Sequence, residues 1–462
     1  MSRPIALETS PTNLRRKRHR VRASCALCAP TLFVLLALCP HVSLSQTPRT
    51  QSGAQSRGVA GARVEDNGAR LVEAAALLRA GKLDEAEPMV RRVVAEAPRD
   101  ADARSLLGVI LDRRGASREA EREFRAALNV NPKSVAARAN LGVLLARTGR
   151  QVEAVALFKT VLADAPGHQP AAFNLGLALY QLKRYEEADA AFETAAALAP
   201  AMPEPLYYRG LASIARGRAE DAAQFWQAAL ALRPDYAEAS FALAEELKRQ
   251  RRYEGAVEFY ARALASDSSK LVYYVRLGGT YMLLVRHAEA SEVFRRGAER
   301  FPDVPEAHYF VGIAARALAD YDAAEAAFRK SLALKPENPD ALAQLGFILA
   351  ERGRFDEAEN TLRRAASLAR NHFYAHYDLG RLLVKTRRYD EALAVLRRGA
   401  EIKPEDAGVH YQQFIALSRL KRTAEAERAL DAFKRLDEAR RRHRAAGGQT
   451  DDEEINNPPP QN

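Results

Sequence analysis

His372 and His376 stand four residues apart, a spacing that puts two imidazoles on one face of a helix where they can share a metal ion. No third ligand accompanies them, so a closed metal site is not expected. His410 repeats His376 after 34 residues. Amides recur at the same interval. Asn140 is followed by Asn174, with Gln344 and Gln412 in the same register further on. An amide both donates and accepts, so a row of them can read a peptide backbone; a hydrogen bond to their own helix is the simpler use. Arg79, Arg113 and Arg147 form a third such row, resumed by Lys385 and Arg419. A stripe of cations can clamp carboxylates, but a cation near a helix C-terminus is favoured by about 0.3–1 kcal/mol in any case. A fourth row is aromatic: Phe173, Tyr207, Phe241, Tyr309, Tyr377 and Tyr411, flanked by Tyr180, Tyr208, Met282, Phe310 and Phe347. Such a stripe suits an extended peptide or an amphipathic segment, unless it packs against its own neighbours. There is no Gly-rich phosphate loop, H-E-x-x-H or G-x-S-x-G motif, and no cofactor is expected.

These rows share one period, and a stricter column sets it. Alanine occurs every 34 residues from Ala86 through Ala120, Ala154, Ala188, Ala222, Ala256, Ala290, Ala324, Ala358 and Ala392 to Ala426. A period of this size marks a stacked repeat architecture. Twelve residues before the alanine eight units have glycine, from Gly108 to Gly380. Four residues after it comes a large apolar residue, such as Phe158, Phe192, Trp226 or Tyr260. Twelve after it eight units have proline, such as Pro166 and Pro200. Alanine and glycine allow close helix approach, and the aromatic fills the space between units. Proline, lacking an N–H, is expected to end the second helix. Leu141, Leu144 and Leu145 fall at helical spacing, as do Val155, Phe158 and Val161–Leu162, with Gly149–Arg150 breaking the two stretches apart. Each unit is helix–turn–helix, and strand signals are absent.

The pattern Leu141-Gly142-x2-Leu145, Ala154-x3-Phe158, Pro166, repeated as Leu175-Gly176-x2-Leu179, Ala188-x3-Phe192, Pro200, resembles the tetratricopeptide repeat family. The resemblance covers residues 67–440 as eleven units beginning at 67, 101, 135, 169, 203, 237, 271, 305, 339, 373 and 407. It implies an all-α, right-handed superhelical solenoid whose first helices line a concave groove. Groove positions 2, 5, 6, 9, 12 and 13 of each unit would then hold Asn140, Phe173, Asn174, Tyr180, Tyr207, Tyr208, Phe241, Met282, Tyr309, Phe310, Gln344, Tyr377, Tyr411, Arg113 and Arg147. The family's carboxylate clamp is not matched, because Ala136 and Ala139 stand where it needs polar groups. The family's first aromatic position is taken by Arg104, Arg138, Ala172, His308, His376 and His410, with His replacing a packing ring. Ser268 and Arg370 replace the closing proline in two interior units, and Gly278-Gly279 lowers helix propensity. Asp267–Gly279 is therefore where bending or opening is expected. The first and last units are atypical, and the last continues as a charged helix over Ala424–Arg444 that caps the array.

Outside the repeats, a basic run at Arg15–Arg22, an apolar stretch at Ala26–Leu38 and small residues Ser43 and Ser45 before Gln46 read as an export signal over 1–45. An uncleaved N-terminal anchor is the alternative, and the only expected membrane contact. Leu38 is bulky where a lipoprotein signal before Cys39 needs a small residue. Residues 46–66 read as a flexible linker and 441–462 as a charged, disordered tail. All three cysteines (Cys25, Cys28, Cys39) lie in the signal. The mature chain then has no disulfide, zinc cluster or thiol nucleophile. Residues 1–45 hold seven Lys/Arg and one Glu, so removing them lowers the net charge from +11 to +5, which argues against nucleic acid as a partner. The expected function is a non-catalytic scaffold in the periplasm or cell envelope that binds a partner's peptide or helix. The alternatives are an anchored accessory subunit of a secretion, polysaccharide-export or cofactor-assembly machine, and a regulatory or targeting arm for an enzyme on another chain.

Overall fold

The computed structural model describes residues 59–445. The expected signal at 1–45, the linker up to residue 58 and the tail from 446 lie outside the described residues. Within them are 22 helices and no strand. The chain divides into two compact units, one ending at Leu144 and the other beginning at Leu145.

In the first unit α1 (Val59–Arg79) pairs with α2 (Leu83–Glu96) and α3 (Ala101–Arg113) with α4 (Ser117–Val130). Helix α5 (Val135–Arg147) carries the chain onward. Helix α1 starts at Val59, so residues 59–66, read from sequence as linker, are helical. In the second unit α6 (Gln151–Asp164) packs on α7 (Gln169–Gln181). The pairs are then α7 with α8 (Tyr185–Leu198), α9 (Glu204–Ala215) with α10 (Ala219–Leu232), and α11 (Ala237–Arg249) with α12 (Tyr253–Ser266). They continue with α13 (Leu271–Leu283) and α14 (His287–Arg300), α15 (Pro305–Ala317) and α16 (Tyr321–Leu334), and α17 (Pro339–Glu351) and α18 (Phe355–Leu368). The last are α19 (Phe373–Lys385) and α20 (Tyr389–Ile402), then α21 (Ala407–Arg419) and α22 (Thr423–Ala445). Helix α2 also packs on α3, and in the second unit each second helix from α6 to α20 packs on the first helix that follows. First helices touch one another across units, as α13 with α15, α17 with α19 and α19 with α21. Within each compact unit the helix pairs are thus helix–turn–helix repeats stacked on their neighbours, as the repeat columns predict.

The columns explain the packing. Ten of the eleven ladder alanines are fully buried and Ala426 is 4 % exposed. The glycine column has a more local reason than close approach alone. A Cβ at Gly176 would lie 2.5 Å from the Phe192 ring, and one at Gly312 2.6 Å from Phe328. The ring therefore lies flat on the glycine of its own unit, filling the space inside the unit before that between units. Trp226 sits likewise over Gly210, with its indole N–H donating to the Tyr207 carbonyl at 3.1 Å.

Proline does not end the second helices in the way expected. Helix α8 stops at Leu198, two residues before Pro200, and its cap Ala199 is at φ −137° and ψ 74°. Helices α12 and α18 stop at the same position without proline, with caps Asp267 at φ −143° and Ala369 at φ −133°. Proline reinforces a stop that packing already imposes. The loop at Asp267 is closed by its own bonds: Asp267 Oδ1 accepts from Ser269 N–H at 2.8 Å and from Ser269 Oγ at 2.6 Å. Several first helices are capped by side chains. Asp100 accepts from the Asp102 and Ala103 amides, Asn338 from those of Asp340 and Ala341, and His372 Nδ1 from that of Ala375; such a cap is worth about 1 kcal/mol.

Candidate interaction surface

The face of the first helices is built outward from the buried rings. Position 5 of a unit packs on its own ring column, and position 6 stacks on that of the preceding unit. Phe173 lies 5.7 Å from Phe192, and Tyr208 of the next unit stacks on Phe192 at 5.4 Å with planes 22° apart. Phe310 repeats this on Phe294 at 5.3 Å and 21°. Phe241 rests on Tyr260 and Tyr273, and Tyr309 on Phe328. These aromatics are anchored from behind and keep only part of each ring open. Burial raises the phenol pKa values, to about 12 for Tyr208 and Tyr377 and further for Tyr207 and Tyr309.

The expected groove residues separate by exposure. Tyr180, Tyr207, Tyr208, Phe241, Tyr309, Phe310 and Tyr377 are half-buried, and Tyr411 is exposed. Phe173, Met282 and Gln344 are buried and belong to the packing. Asn140 is half-buried in the first unit. Asn174 spends its amide on its own helix, donating to the Pro170 carbonyl at 2.8 Å. Arg113 and Arg147 are exposed at helix ends. Arg79 donates to the Ala75 carbonyl at 3.2 Å and Lys385 lies 5.2 Å from the Phe355 ring, both local roles.

The histidines are structural clips. His372 accepts at Nδ1 from Ala375, so its neutral ring donates from Nε2 to Asp340 Oδ1 at 2.9 Å. At position 4 of their units His308, His376 and His410 donate from Nε2 to the carbonyls of Pro302, Arg370 and Pro404, at 2.8, 3.1 and 2.9 Å. Arg104 does the same to Pro98 at 2.7 Å. Position 4 thus pins the preceding loop through a carbonyl six residues back, and a bonded donor replaces the expected packing ring.

A polar cluster on α15, α17 and α19 was not anticipated. The guanidinium of Arg316 lies 5.0 Å and that of Arg381 4.9 Å from the Phe347 ring. Helix α17 is buried without interruption from Ala341 to Ala350. Such a helix needs cover on every side, and the two arginines supply part of it. Asp378, also buried, lies 3.8 Å from Arg381, which is bonded to Glu351 at 2.9 Å. Burial pushes the Asp378 carboxyl up to about 6 against the pull of Arg381 and Arg316. The signal for this cluster is the cation Arg381 in a column that holds Leu177, Leu211 and Ile313 in other units, its other charge being Glu245.

A second missed feature is an ion ladder along the second helices. Arg354 bonds Glu357 of its own unit and Glu325 of the preceding one, both at 2.6 Å, and Arg388 does the same with Glu391 and Glu359. The pattern Arg-x2-Glu at 34-residue intervals was its legible trace. The pairs with Glu357 and Glu391 are exposed and contribute little alone, whereas Glu325 is buried.

Comparison with known proteins gives three matches to family profiles. Tetratricopeptide repeat profiles match residues 71–117 and 111–169, and a related one residues 145–214. The C-terminal domain of cilia and flagella-associated protein 70 matches residues 228–455. No curated protein matches the chain. Among solved structures the chain is similar to PilW, described as a widely conserved type IV pilus biogenesis factor. That match has 21 % identity and TM-score 0.41, covering 43 % of this chain and 92 % of that one. A tetratricopeptide repeat protein from Parabacteroides merdae has 18 % identity and TM-score 0.41, covering 51 % and 93 %. The Cut9–Hcn1 assembly of APC/C has 12 % identity and TM-score 0.38, covering 80 % and 96 %.

Proposed function

Because the chain is a tetratricopeptide repeat protein, we propose that it is a non-catalytic protein-interaction scaffold of the periplasm or cell envelope, holding an extended or helical segment of a partner along its first helices. Repeats of this kind present a continuous surface rather than a pocket where catalytic groups converge. The observation that carries the reading is the set of half-buried aromatics on successive first helices of the second unit. Tyr208, Phe241 and Phe310 are each fixed by buried rings behind them, Tyr180 lies against half-buried Tyr185, and each of the four is partly open. Rigid, partly exposed rings bind with little loss of side-chain entropy. The export part rests on the basic run, apolar stretch and small-residue site before Gln46.

Gly279 provides a test. A Cβ there meets nothing within 4 Å, and it shares position 9 with Glu245, Ile313 and Phe347 on the neighbouring first helices. A photo-crosslinking residue at position 279 should yield a discrete adduct in cells. One at exposed Ala326 on α16 should not. Adducts at 326 alone, or equally at both, count against binding along the first helices. N-terminal sequencing of the chain from an envelope fraction checks export separately; recovery only from the cytoplasm removes that part.

A further inference from the structure

The second helices α14, α16, α18 and α20 end in a charge pattern that folding does not require. Counting from the first residue of each unit, positions 25 and 26 are basic in all four: Arg295–Arg296, Arg329–Lys330, Arg363–Arg364 and Arg397–Arg398. Over positions 25–33 the four units hold twelve Lys or Arg against five Asp or Glu. Over positions 16–24 they hold three Arg against ten Asp or Glu. Most of the acidic half is paired within the protein: Glu325 is bonded by Arg329, Arg352 and Arg354, and Glu359 by Arg363 and Arg388. The first arginine of each basic pair is spent in the same way. Arg329 also reaches Glu357 at 3.4 Å, and Arg363 reaches Glu391 at 3.1 Å.

The second member is not spent in three of the four units. Arg296, Lys330 and Arg364 are exposed and make no ion pair among the described residues; Arg398 meets Glu401 at 2.7 Å. Of the five acidic residues, Glu299 and Glu401 are held by Arg295 and Arg398, and Asp303, Glu337 and Glu405 lie in the following loops. A cation near a helix C-terminus complements the helix dipole, but the same position is Thr160, Thr194 and Ala228 in equivalent helices. The dipole alone therefore does not explain the column. One turn further on, Leu334 and Leu368 are exposed large apolar residues and Ile402 is half-buried.

We propose that this outer face of α14–α20 docks on an anionic phospholipid surface. On α16 and α18 a cation followed four residues later by an exposed leucine places the charge at headgroup phosphates and the leucine at the acyl boundary, and α14 and α20 add cations on either side. An acidic protein surface would use the cations without needing the leucines. Among the described residues no helix is long and apolar enough to cross a membrane, and the contact described here is lateral.

Cosedimentation with vesicles tests it. The parent chain should bind phosphatidylcholine vesicles containing phosphatidylglycerol and not pure phosphatidylcholine, with affinity falling as salt rises. Combining Arg296→Gln, Lys330→Gln and Arg364→Gln should weaken that binding by on the order of 100-fold, from about 1 kcal/mol per cation. Circular dichroism should be unchanged, because the three side chains support no ion pair. Leu334→Ser with Leu368→Ser should weaken it several-fold at constant charge. The proposal is overturned if the parent ignores anionic vesicles, if the triple variant binds them as well as the parent, or if poly-glutamate is captured and vesicles are not.

Discussion

At the scale of single residues the most consequential group is Asp378, a buried carboxyl beside Arg381 and within the field of Arg316. Burial holds its pKa at about 6, above the ordinary 3.8, despite the opposing pull of both arginines and of His372. Between those values the folded protein retains a proton that the unfolded chain has released. Stability from this group is therefore greatest below about pH 4 and falls as pH rises to about 6, by up to roughly 3 kcal/mol. Asp378→Asn cannot titrate and lacks that slope. The stability of the variant relative to the parent should rise across that window and level off on either side, measured by denaturant unfolding at a series of pH values. A difference that stays flat from pH 4 to 8 would mean that Asp378 is ionised throughout in the folded state. The same cluster shows why exposure along the first helices was hard to read from sequence. Phe347 is at a groove position by register, but Arg316 from the preceding unit and Arg381 from the following one lie against its ring. Its burial is decided by side chains on either side along the chain, which a repeat column does not encode. Phe173, Met282 and Gln344 are closed off for related reasons, while Tyr208 and Phe310 remain half-open on the rings behind them.

At the scale of elements, the helices and their partners were legible because two steric constraints recur, one in every unit and the other in eight of the eleven. The ladder alanines are buried throughout, and in most units the large residue lies on a glycine, as Phe192 does over Gly176; Tyr260, in the unit with Ala244, is an exception. The turns between paired helices were less legible. Gly81, Gly115, Gly149, Gly217 and Gly353 announce a left-handed backbone, but six further turns adopt it without glycine: Lys183, Arg251, Val285, Ala319, Arg387 and Lys421, at φ 57–65°. Stacking fixes the turn, and the local residue tolerates it. That tolerance has a cost, of about 1–2 kcal/mol for an L-residue in this region and greatest for a β-branched one. Val285 is β-branched and 72 % exposed, so it gains little burial in return. Val285→Gly should raise stability by about 0.5–1 kcal/mol after the added freedom of the unfolded chain is deducted, read as a higher denaturant midpoint at unchanged slope. A lower midpoint would show that the valine makes a contact outweighing its backbone strain. The helix stops teach the same lesson in reverse. Proline at position 32 is conspicuous in sequence, but α12 and α18 end on schedule without it, because the next first helix must begin where stacking places it.

At the scale of the whole molecule, stability should be distributed rather than global, because each helix packs only on elements close to it in the chain. In the second unit α10 meets α9 and α11, and α20 meets α19 and α21. A stack of this kind behaves as a row of repeats coupled to their nearest neighbours. Damage to one unit should loosen its neighbours first and leave distant units folded. The chain carries a single tryptophan, Trp226, buried on α10 four residues beyond the ladder alanine Ala222. Its fluorescence reports the unit at 203–236, whereas far-ultraviolet circular dichroism reports all the helices. Ala392 is fully buried on α20, and arginine there places a long charged side chain in a packed interior. In Ala392→Arg, denaturant should remove part of the helical signal while Trp226 fluorescence is still native. In Ala222→Arg the order should reverse, with fluorescence changing before most of the circular dichroism is lost. Coincident curves in both variants would mean that the repeats unfold as one cooperative body, and coupling would then have to extend well beyond adjacent helices.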